Sequence, residues 1–129
     1  GAGDQVGSVL YSRGMYAAMV IAEAARKGQE LAGTPAINAA QLRDGFENLE
    51  ITEARMAELG LPNFGQPFKA SCADHGGPGA AMIQQWDATA KKWNLITGFI
   101  APDDEVLAPL VAEDSAAFAK EAGITERCN

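Results

Sequence analysis

Apolar and polar positions along the chain sort into stretches of different period. The first stretch runs from about Ser8 to Leu31, and its middle, Met15 to Ala22, is apolar nearly all round. Polar residues return only at Glu23, Arg26, Lys27 and Glu30, and Gly33 and Pro35 close the segment. This pattern predicts a long helix buried on most sides, as in a layer covering a sheet. A second helix is predicted from Asn38, where Gln41 three residues on completes a capping box and Ile37 serves as the staple residue. Leu42, Phe46 and Leu49 follow at i, i+4 and i+7 and define one buried stripe. A third, short helix is predicted from Thr52, carries Met56 and Leu59, and stops at Gly60.

After Leu61 the period shortens. Pro62, Gly65 and Pro67 mark a loop, Phe68 to Cys72 has the texture of a short strand, and Asp74 to Gly79 is a turn-rich connection. The apolar-rich runs Ala81 to Trp86 and Trp93 to Ile100 flank a polar link from Asp87 to Lys92, which predicts a β-hairpin. Trp93, Leu95, Thr97 and Phe99 alternate onto one face, with Ile96 and Ile100 on the other. A hairpin apolar on both faces belongs inside a larger structure. Asp103 or Asp104 then caps a last helix bearing Val106, Leu107, Leu110, Val111 and Phe118, with Pro109 as a point of bending and Gly123 as its end.

The order predicts an α/β chain of three helices, one strand, a hairpin and a final helix. Residues 1–66 form a helical layer, and 67–129 supply closing strands and a tail helix. Too few strands are present to cover the first helix, so the chain reads as part of a larger protein.

Composition narrows the function classes. The chain has 129 residues, 47% of them hydrophobic, and a formal net charge of −7. That surface repels phosphate, so nucleic acid is excluded as a partner. No apolar run approaches the roughly 18 residues that cross a bilayer, and Gly1 to Ser8 lacks the pattern of a signal peptide.

Chemistry-bearing residues are few. Cys72, Asp74 and His75 lie close together, with Cys128 far along the chain. A zinc site needs about four donors, usually as close pairs, and Cys128 has no companion. A Cys72–His75 nucleophile needs a lowered thiol pKa and oxyanion donors, which nothing upstream supplies. The reading adopted is a structural cysteine followed by a polar turn, with no metal and no cofactor. Spacing leaves open whether the two cysteines bond. Gly76 to Gly79 lacks the helix and the Gly-Lys-Ser/Thr ending of a phosphate loop. Asp44, Glu47, Glu50, Glu53 and Glu58 fall mostly off the apolar stripe, on a solvated face. Tyr11 and Arg13 open the long helix, where an aromatic ring and a guanidinium suit an anionic or zwitterionic ligand.

Several segments resemble one family. Val9-Leu10-Tyr11-Ser12-Arg13-Gly14 with Ala18 and Glu23-Ala24 resembles the start of the last long helix in branched-chain amino-acid-type (type I) periplasmic binding proteins. The similarity is strongest to the subgroup that binds aromatic acids and carboxylates. Ser71 to His75, Gln84 to Asp87 and Lys91 to Trp93 resemble that subgroup's closing hairpin, and Gly123 to Cys128 its tail. The polar link Asp87 to Lys92 departs from the family's shorter turn.

The resemblance implies the C-terminal portion of a two-lobed solute-binding protein that closes over a branched-chain amino acid, aromatic acid or amide. It implies Tyr11 and Arg13 as ligand contacts and a Cys72–Cys128 disulfide in the periplasm. The implied partners are an ABC transporter permease and the N-terminal remainder of the same protein, and no catalysis is implied. The alternatives are a small enzyme using Cys72 and His75, and a structural module without a ligand.

Overall fold

The computed structural model describes residues 3–125 and 128. Its contacts divide into two units, the first ending at Pro78 and the second beginning at Gly79.

In the first unit, a 3-10 turn at Gly3–Gln5 precedes α1 (Val9–Ala32). The Ser8 side chain accepts from the Tyr11 amide, satisfying one of the amides that a helix start leaves unpaired. Gly33 ends the helix in the left-handed region at φ 65°, its N–H reaching the carbonyls of Gln29 and Glu30. α2 (Ala39–Glu47) opens on the predicted capping box: the Gln41 amide donates to Asn38 Oδ1 at 3.0 Å, and the Asn38 amide donates to Gln41 Oε1 at 2.9 Å. α3 (Glu53–Glu58) is capped by Thr52, whose hydroxyl accepts from the Arg55 amide at 3.1 Å.

Two very short strands brace these helices. β1 (Glu50–Ile51) pairs antiparallel with β2 (Phe68–Lys69), placing Glu50 opposite Lys69 and Ile51 opposite Phe68. β2 is shorter than the predicted strand to Cys72. At Ser71 the backbone turns, with the Asp74 amide donating to the Ser71 hydroxyl at 3.0 Å and the Ser71 amide to the Asp74 carbonyl at 2.8 Å. β1 escapes sequence reading because two residues carry no period.

The core of this unit gathers Met19, Val20 and Ala24 of α1 with Leu49, Ile51 and Met56, and Tyr16, Leu42, Phe46, Leu61 and Phe68 pack around it. α1 and α2 meet through glycines. A Cβ at Gly45 would lie 2.1 Å from the Ala24 carbonyl oxygen, and one at Gly28 would lie 2.6 Å from that of Gln41. The backbones touch because no side chain stands between them.

Within this chain α1 is buried along a single stripe, and its apolar residues Leu10, Ile21 and Leu31 are exposed. The described residues of the unit cover that stripe and leave the opposite side of the helix open.

In the second unit, β3 (Gln84–Asp87) and β4 (Lys92–Leu95) form the hairpin, with Trp86 opposite Trp93. Their ring centroids are 5.4 Å apart at a tilt of 59°, the arrangement that aromatic quadrupoles prefer. Asp87 Oδ1 accepts from the amides of Thr89 and Ala90 and shapes the link. An isolated bridge between Ala81 and Ile100 extends the pairing beyond the named strands. The predicted runs are thus shortened to four residues each side. α4 (Asp104–Ala122) is capped by Asp103, contains Pro109, and ends at Gly123 with φ 65°.

The described residues therefore combine helices with small antiparallel sheets, the mixed class expected. Glu126 and Arg127 of the predicted tail motif lie outside the described residues.

Candidate functional site

α1 begins beside a shallow depression of about 470 Å3, lined in part by Val9, Ser12, Arg13, Tyr16, Ala17 and Phe64. Arg13 brings a cation to it and Ser12 a hydroxyl. The helical period explains which residues arrive together. Arg13 and Tyr16 are three apart and share a face, whereas Tyr11 is two residues from Arg13 and points elsewhere. Tyr16 and Phe64, not Tyr11, bring aromatic rings to it. The Tyr16 hydroxyl donates to the Gln66 carbonyl at 3.0 Å, and burial raises its pKa. In the sequence Tyr16 is simply part of an apolar run; its i+3 spacing from Arg13 is the signal that could have singled it out.

The Cys72 region is arranged differently from a reactive centre. Neither cysteine is a free thiol, and both Cys72 and Cys128 are disulfide-bonded. A disulfide sulfur carries no thiolate to attack or to ligate. Asp74 is engaged locally, its Oδ1 accepting from the Gly76 amide at 2.9 Å. His75 stands exposed, its Nε2 3.7 Å from Glu47 Oε1. Among the described residues no three His, Cys, Asp or Glu side chains are grouped to hold a metal ion.

The most heavily engaged carboxylate lies where the sequence of α1 turns polar. Glu23 is buried, and Arg55 grips it with two hydrogen bonds, Nε to Oε2 at 2.8 Å and Nη2 to Oε1 at 2.9 Å. Arg26 adds a third at 3.1 Å, and Arg55 also reaches Glu58 at 2.8 Å. With both oxygens held by guanidinium groups, Glu23 is no free base; it clamps α3 onto α1. A Glu within an apolar helix, with Arg three residues on, is a partial sequence signal. Arg55 is not legible as the partner, because 32 residues separate it from Glu23.

The clamp predicts a pH dependence. Hydrogen bonding from Arg55 is the largest influence on Glu23 and holds its pKa below the usual carboxylate value, against the opposing effect of burial. The unfolded chain thus binds this proton more readily than the folded chain. The stabilisation is present above the unfolded pKa and is lost as pH falls through the folded one. Arg55→Met leaves burial less opposed, so acid unfolding followed by circular dichroism should move to higher pH. An unmoved acid midpoint would contradict the clamp.

The second unit exposes a different kind of surface. No residue of α4 is buried, and Phe118 is 63% exposed. Val106, Leu107, Leu110, Val111 and Phe118 recur at helical spacing and form an apolar stripe. On the hairpin, Trp93 is 62% exposed, and Leu95, Ile96, Phe99 and Ile100 are exposed with it. Single exposed apolar residues are ordinary, but clusters of this kind mark contact surfaces.

No protein-family model and no curated protein matches the chain. One solved structure is similar to it, described as the crystal structure of an ABC transporter permease from the Pseudomonas fluorescens group. The likeness has a TM-score of 0.85 and 42% sequence identity, and it covers 98% of this chain and 30% of that one. The chain thus spans less than a third of the length of the protein it resembles.

This finding corrects three expectations. The resemblance to type I periplasmic binding proteins, the solute-binding function and the periplasmic location all give way, because the similar protein is described as a permease. The physical reason lies in what the quoted segments specify. They set a helix start, a hairpin and a tail, which are features of local folding and not of a binding site. Among the described residues no helix is long and apolar enough to cross a membrane. The likeness to a part of an ABC transporter protein is the conclusion that the comparisons carry.

Proposed function

We propose that the chain is a part of an ABC transporter permease-type component that does not itself span the membrane. We further propose that its apolar faces pack against the rest of that component. The likeness over 98% of the chain at 42% identity is the observation that carries this reading. Two features support it: the similar protein is more than three times as long, and the hairpin and α4 expose the apolar clusters that such packing buries.

On this reading the chain performs no catalysis and uses no cofactor. It contributes a folded support and, through the depression at the start of α1, a place where a small transported solute makes contact. Arg13 is the proposed electrostatic contact there, with Ser12 and Tyr16 beside it, and Tyr11, exposed at the start of the same helix but outside the depression, is a separate candidate contact. Cys72 and Cys128 are proposed to bond with each other. Closing a loop of that length is worth about 4 kcal/mol in the chain-entropy account. Titration of the denatured, unreduced chain should therefore find no free thiol, and two thiols per chain would remove the bond.

Photo-cross-linking in intact cells tests the assignment. A photoreactive residue at position 93 or 118 should yield adducts to ABC transporter polypeptide, identified by mass spectrometry. Adducts confined to unrelated proteins would overturn it.

A further inference from the structure

We draw no further inference here: the strongest candidate, the exposed apolar stripe of α4 formed by Val106, Leu107, Leu110, Val111 and Phe118, is a face for which nothing in the structure shows what covers it beyond the packing already proposed.

Discussion

Gly45→Ala should destabilise the first unit by about 3 kcal/mol, near the upper end of the usual cost of overpacking. In an ordinary helix the same change is favourable, since alanine outranks glycine by up to about 1 kcal/mol. The sign reverses at this position because the new Cβ would lie 2.1 Å from the Ala24 carbonyl oxygen and 2.8 Å from the Gly28 nitrogen. Both neighbours are backbone atoms, so no rotamer change relieves the clash and α1 and α2 must separate. Gly14 provides the control. It lies within α1, and a methyl group added there would meet nothing within 4 Å, so Gly14→Ala should raise stability modestly. Thermal unfolding of the two variants beside the parent checks the pair. Equal shifts would mean that the close approach of the helices contributes nothing.

Met56→Ala should cost about 3 kcal/mol, within the range for truncating a fully buried methionine. Met56 has no exposed surface and sits with Leu49 and Ile51, the other large side chains buried completely. Removing its thioether leaves a void that helices clamped by Glu23 and Arg55 cannot easily collapse. Phe118→Ala makes the contrast, because that ring is 63% exposed and its loss should change the stability of this chain by no more than about 0.5 kcal/mol. Denaturant titration measures both. A Phe118 effect equal to that of Met56 would show that α4 is already covered.

These contrasts follow the line between what the sequence made legible and what it did not. Helix starts were legible because their signals are local. Ser8, Asn38 with Gln41, Thr52 and Asp103 each place a side-chain acceptor within three residues of the amide it satisfies. The ends at Gly33 and Gly123 were legible for the same reason, since both adopt the left-handed conformation that glycine tolerates. The hairpin itself followed from the polar link between two apolar runs, and the structure adds the register that sets Trp86 opposite Trp93.

Long-range partners were not legible. β1 became a strand through the Ile51–Phe68 pairing, and Glu23 became a buried clamp through an arginine on another helix. The outer side of α1 reads as buried because its residues are apolar, yet hydrophobicity records what a face favours and not whether this chain supplies the cover. At the candidate site, Arg13 stands out by its charge at a helix start, while Tyr16 is hidden inside an apolar run. The transporter connection was legible in outline, but the segments that carried it could not tell one component of a transporter from another.

The proposed role depends on the apolar stripe of α4 meeting transporter polypeptide. Photo-cross-linking from position 118, with Glu105 on the opposite face of α4 as the control, bears on that most directly. The proposal predicts efficient adducts from position 118 to peptides of an ABC transporter component and few from position 105. Equal, sparse labelling from both positions would contradict it, since the stripe would then face water.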